Sequence, residues 1–186
     1  MKHTLFFFAA LILAASCSGK LSPVQQAIVS AIEENNAEVK DIRFTELTLI
    51  DSTTVGQELD LRQKLFETKI KVEEKYVAKY NSQGLWTNEQ KHRKALYNAE
   101  NILTGIAGLR EELAACKDSV VYRTYVFSCI GHDVNGKKFV CDKKFINITS
   151  GGEAYNMSST DDRHNSMGFT IPGYSALLDS VSDGSL

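Results

Sequence analysis

Between Val120 and Ile148 the chain sets two runs rich in β-branched and aromatic residues on either side of Asp133-Val134-Asn135-Gly136. That pattern is a β-hairpin with a strong turn signal at Asn-Gly. The pairing register is the next question, because a one-residue slip sends a strand's whole apolar set to the other face. A two-residue loop pairs Val134 with Lys137 and places Phe127 opposite Lys144 and Cys129 opposite Asp142. A three-residue loop with Gly136 left-handed, or a five-residue loop, places Phe127 opposite Lys143, Tyr125 opposite Phe145 and Cys129 opposite Cys141. This second register collects Val121, Tyr125, Phe127, Cys129, Phe139, Cys141 and Phe145 on one face, and it is the one expected. Cys129 and Cys141 then lie within disulfide reach, either bridged or as two small buried thiols. Tyr122, Thr124, Val126, Ser128 and Ile130 share the second face, as a binding surface or as an ordinary half-polar sheet face.

The residues around the hairpin supply helices that need a sheet. Ser22-Pro23-Val24-Gln25 opens a first helix with a cap and a first-turn proline, and Val24, Ala27, Ile28, Ala31 and Ile32 form its stripe. Val39–Ile50 reads as a strand, a fourth member of the sheet. Thr54 and Gln57 are spaced for a capping box that starts a long helix ending at Asn81-Ser82-Gln83-Gly84. One side of it carries Val55, Leu59, Phe66, Ile70 and Val77; the next carries Leu61, Leu65, Val72, Tyr76 and Tyr80. Thr87 and Gln90 offer a further capping box for a helix through Leu113, and the two long helices are expected to share a core. Gly105 and Gly108 either permit close packing or break that helix. A third strand is expected at Glu153–Ser158, a short edge segment at Phe169–Gly173, and a brief final helix capped by Ser175. These elements predict an α+β fold, about three helices on one face of a three- to four-stranded antiparallel sheet. Their order is similar to that of cystatin-like and other single-sheet α+β folds, a likeness that carries no activity.

The N-terminus reads separately. A short basic start, Met1-Lys2-His3, precedes the apolar run Leu5–Leu13 and the small residues Ala14-Ala15-Ser16 before Cys17. These are the parts of a secretory signal peptide. Cys17 after small residues resembles the lipobox of bacterial lipoproteins. Membership implies a diacylglycerol on the Cys17 thiol, cleavage before it and acylation of the new amine. The family usually carries Leu three residues before the cysteine; here that residue is Ala14, with Leu13 one position earlier. Ala14 and Ser16 also suit ordinary signal cleavage, which would leave Cys17 a plain thiol. Two or three acyl chains make a stable anchor, since each buried methylene contributes about 0.8 kcal/mol. Ser18-Gly19-Lys20 lacks the Asp that retains family members in the inner membrane and lacks an acidic surface-export run. The expected place is therefore the outer membrane, facing the periplasm. The implied organisation is a signal peptide at 1–16, a lipidated tether at 17–21, one α+β domain at 22–181 and a frayed tail at 182–186.

Catalytic readings are poor. The net charge of −2 leaves no basic excess overall for nucleic acid. His132, Asp133, Asp161, Asp162 and His164 have metal-ligand chemistry, but the first two begin the hairpin turn and the others fall in a polar loop. His92 sits among Lys91, Arg93 and Lys94 and reads as solvated. Gly173-Tyr174-Ser175 lacks the last glycine of a nucleophile elbow, and neither a phosphate-binding loop nor a dinucleotide fingerprint implies a cofactor. Cys116 reads as a buried thiol left over from pairing. The reading that follows is a non-enzymatic, lipid-anchored envelope protein that binds a protein or small ligand. An enzyme using His132, Asp133 or hairpin tyrosines is the alternative, and a subunit of an envelope assembly held by the helical hairpin is the third. An exposed apolar helix stripe would favour the assembly.

Overall fold

The structure, a computed structural model, describes residues 20–35, 39–160 and 167–182. It is α+β, with four α-helices and a four-stranded antiparallel sheet among the described residues. The described residues divide into two compact units, 20–35 and 39–52 with 122–160, and 53–121 with 167–182; the divisions at 52/53 and 121/122 fall inside two strands.

In the first unit the sheet runs β1 (Lys40–Thr54), β2 (Val120–His132), β3 (Lys138–Thr149) and β4 (Ala154–Ser158), in that spatial order. The helix α1 (Pro23–Asn35) packs on it. Its start is a capping box: the Ser22 amide donates to Gln25 Oε1 at 2.9 Å, and the Gln25 amide donates to the Ser22 hydroxyl. Ile28, Ala31 and Ile32 then bury against Phe127, Cys129, Cys141, Ile146 and Ile148.

The β2–β3 register combines both pairings that the loop lengths allow. A five-residue loop with Gly136 at φ +75° closes the hairpin, and Cys129 faces Cys141 as expected. Past Ser128 the ladder shifts by one. Phe127 faces Lys144 rather than Lys143, and Tyr125 faces Ile146 rather than Phe145. The shift is a β-bulge on β3, where Lys143 takes φ +44° and its amide donates to the Ser128 hydroxyl at 3.0 Å. The extra residue inverts the alternation, so Ile146 and Ile148 replace Phe145 on the face that α1 covers. A second irregularity on β4, with Asn156 at φ +56°, returns Met157 to the same side as Ala154.

The second unit is built on two long helices. α2 (Val55–Ser82) starts directly from β1 with the expected Thr54–Gln57 capping box. It ends in a Schellman turn, with Gly84 at φ +66° and the Leu85 amide donating to Tyr80 O. α3 (Trp86–Glu112) follows at once. Its cap is Leu85, which gives no side-chain hydrogen bond, so the Thr87–Gln90 box does not form. The core of the pair holds Val55, Leu59, Phe66, Ala99, Ile102 and Ile106. At its base the Val55 and Gly56 amides donate to Ser119 O and Lys117 O at 3.0 and 2.8 Å.

Residues 168–170 form a 3-10 turn rather than an edge segment, and α4 (Tyr174–Ser182) begins before Ser175, which is therefore not its cap. Gly105 does not break α3. It admits α4: a Cβ there would stand 2.2 Å from Leu177 Cδ1, whereas one at Gly108 would meet nothing within 4 Å. Gly105→Ala should therefore cost about 1–3 kcal/mol through overpacking, with relief on adding Leu177→Ala. Gly108→Ala should be neutral or stabilising by up to about 1 kcal/mol. Urea unfolding of the three variants checks the contrast.

Candidate functional site

α2 leaves a line of apolar side chains uncovered. Leu65, Val72 and Tyr76, separated by seven and four residues, share one helical face and are all exposed. Tyr97 on α3 is exposed too, and at the tip Leu85 and Trp86 face outward, Trp86 at 69 % exposure. Behind the tip is an aromatic stack. The His92 ring lies 4.7 Å from Tyr76 and 5.3 Å from Tyr80, and its Nδ1 is 2.6 Å from Glu73 Oε2. His92 is thus held between α2 and α3 rather than simply solvated. Spacing along a single helix could not reveal this, because its partners come from the neighbouring helix.

Charge is concentrated on the same hairpin. From Lys64 to Tyr97 there are eight Lys and Arg against four Glu, in a chain whose total is 21 against 23. Three of those carboxylates are engaged: Glu73 with His92, Glu89 with Arg93, and Glu67 as acceptor from the Gln63 side-chain amide. Lys75, Lys79, Lys91 and Lys94 remain at the surface around the tip.

The opposite end of the hairpin carries a buried ion pair, Glu58 with Arg62 at 3.0 Å. Both fall on the α2 face that carries Leu59 and Phe66, where the apolar pattern gave no hint of charge. Arg62 packs beside Gly168 and Tyr174, and burial pushes the Tyr174 hydroxyl above its ordinary ionisation range. A charge pair removed from water stabilises little in itself, but deleting one member is expensive. Arg62→Ala should lower unfolding free energy by about 3–5 kcal/mol in chemical denaturation. Nearby, an open cleft of about 400 Å³ is bounded by Thr54, Gln57, Asp60, Arg110, Lys117 and Asp118. There Arg110 is taken up by Asp60 at 2.8 Å and by Gln63 at 3.0 Å.

In the first unit, Cys129 and Cys141 are cross-strand partners and are free thiols in this structure, both buried. Burial, and then the neighbouring Cys141, push Cys129 up to about 12 from 9.0; burial likewise raises Cys141. Folded, the pair holds its protons where the unfolded chain releases them. The unfolded state then binds fewer protons, so reduced protein should lose stability as pH rises from about 9 toward 12. Urea midpoints across that range should fall more steeply for the reduced chain than for its oxidised form or for Cys129→Ala/Cys141→Ala. Cys116, half-buried, sits apart in the 3-10 turn after α3.

Of the groups weighed for catalysis, Asp133 has a structural duty. Asp133 Oδ1 accepts from the Asn135 and Lys137 amides at 2.9 Å each and so closes the hairpin turn. His132 is exposed at the end of β2. On the second sheet face Tyr122, Thr124 and Ser128 are buried, and the Thr124 hydroxyl donates to Asn147 Oδ1 at 2.8 Å. That face is therefore not the exposed Tyr and Ile surface weighed from sequence. Asp161, Asp162 and His164 lie outside the described residues, as do Cys17 and the whole signal and lipobox segment. Among the described residues no group of three or more His, Cys, Asp or Glu could hold a metal ion, and no helix is long and apolar enough to cross a membrane. No family model matches the chain, and no curated protein or solved structure matches it.

Proposed function

We propose that this chain is a lipid-anchored protein of the bacterial cell envelope, tethered through Cys17 at the outer membrane, and that it works by binding rather than by catalysis. Its interaction element is the α2–α3 hairpin, which makes it a structural subunit of an envelope assembly. The observation that carries this reading is the exposed Leu65, Val72 and Tyr76 stripe on α2. Core helices bury such a stripe, and an exposed one marks a partner surface. The duties of Asp133 in its turn and of Arg110 with Asp60 weigh against the enzyme reading.

Oxidation of Cys129 and Cys141 belongs to the same reading. Two thiols would pass two electrons and two protons to the disulfide of an envelope thiol oxidant, leaving one new protein disulfide and a reduced dithiol. Because both thiols are buried and held protonated, exchange belongs to the folding chain, before α1 covers the sheet.

Intact mass of the protein from its native envelope should show a chain starting at Cys17 with added acyl mass, and a two-hydrogen gain on reduction. In mild-detergent extracts it should migrate as a complex larger than the monomer. Val72→Glu should return it to monomer size without changing its circular dichroism. An unmodified Cys17 would remove the anchor, and monomer-sized migration of the unaltered chain would remove the assembly.

A further inference from the structure

The tip of the hairpin has a different chemistry from the stripe along its side. We infer that the Gly84 turn, with Leu85 and Trp86, docks onto an anionic phospholipid surface as a membrane contact separate from the lipid at Cys17. Three layers of residues carry this.

The first is the tip itself. Among the described residues Trp86 is the most exposed of the large apolar side chains, Leu85 is beside it, and both stand at a left-handed glycine turn where the two-helix hairpin ends. A rod end presents little area to a folded partner, but it can enter a bilayer interface end-on. Trp is the side chain that most favours that interface, with an apolar body for the acyl boundary and an N–H for the headgroups.

The second layer lies one to two helical turns behind. Tyr76, Tyr80 and His92 form the stacked aromatic group described above, six residues or fewer from the helix ends. At about 1.5 Å per residue they sit within about 9 Å of the tip, the depth of the headgroup region when Trp86 is inserted.

The third is charge. Lys75, Lys79, Lys91 and Lys94 surround this aromatic group at the surface, while Glu73 and Glu89 are occupied by His92 and Arg93. Their long stems allow the ammonium groups to reach lipid phosphates while the apolar residues are buried. The sign is local: the rest of the chain carries an acidic excess, so the hairpin is the part that an anionic surface selects and orients. A neutral surface would offer these exposed ammonium groups no counter-charge.

The chain contains a single tryptophan, so its emission reports on Trp86 alone. The experiment uses the mature chain from position 17 with Cys17→Ser, which keeps both the apolar run Leu5–Leu13 and acyl chains out of the measurement and so separates this contact from the anchor. It is mixed with vesicles of phosphatidylglycerol and phosphatidylethanolamine, and in parallel with pure phosphatidylcholine vesicles. The anionic vesicles should shift Trp86 emission to the blue and shield it from a soluble quencher, and high salt should reverse both effects. Replacing Lys75, Lys79, Lys91 and Lys94 by Gln should weaken vesicle affinity about fivefold per cation. Trp86→Ala, followed by co-sedimentation, should lose about tenfold or more. Trp86 is exposed, so that variant keeps its fold, and unchanged circular dichroism checks this. Emission that does not move with anionic vesicles overturns the inference. So does equal binding to both vesicle types, because charge would then have no part in it. An effect seen only with envelope protein and not with lipid would assign the tip to a protein partner and overturn it equally.

Discussion

A strand has two faces, and β3 changes which of them its residues belong to half-way along. The residue responsible is Lys143, whose left-handed backbone inserts one extra position opposite Ser128. Without it, the register that joins Cys129 to Cys141 would turn Ile146 and Ile148 away from α1 and bring Phe145 and Asn147 under it. With it, the thiol pair near the turn and the two isoleucines at the far end share a single apolar face. The second face gains as well. Asn147 comes opposite Thr124, and their side chains satisfy one another where both are buried. Given the register that joins the thiols, both the cover of α1 over the far end of β3 and the polar pair on the second face depend on one backbone irregularity, which costs on the order of 1 kcal/mol or more at a non-glycine residue.

This also explains what could be read in the sequence and what could not. Capping boxes at Ser22–Gln25 and Thr54–Gln57 were legible because each is a local bargain between a hydroxyl, an amide and a side-chain carboxamide three residues on. The same spacing at Thr87–Gln90 failed because the preceding helix had already chosen its exit. The left-handed Gly84 turns the chain so sharply that Leu85 becomes the cap and α3 starts earlier. The bulge was hidden by Asp142-Lys143-Lys144, three polar residues through which alternation cannot be followed. Apolar spacing resumes on the other parity, so unbroken alternation predicts Phe145 where Ile146 lies.

The hairpin surface was half legible. The two stripes on α2 were visible in the spacing, and a width of that kind implied more than one neighbour. Which stripe meets α3 and which stays exposed is decided by the helix pairing, which spacing on one helix does not contain. The same limit applies to His92 with Glu73, and to Glu58 with Arg62. Surface charges and buried charges look alike in a sequence, and only the packed partner tells them apart.

Residues 55–119 separate β1 from β2, which are neighbours in the sheet. Joining two strands across so long a flexible segment would carry a large loop-closure entropy and a slow search. Here the segment begins and ends at one place, since the Val55 amide meets the Ser119 carbonyl at 3.0 Å. Two helices formed from near-neighbour contacts bring their own ends together, so the strands on either side are delivered as if joined by a short link. It follows that the hairpin's length is free of the sheet's register. Whole turns could be removed from or added to both arms together, and the reach of the tip would change while the strands kept their pairing.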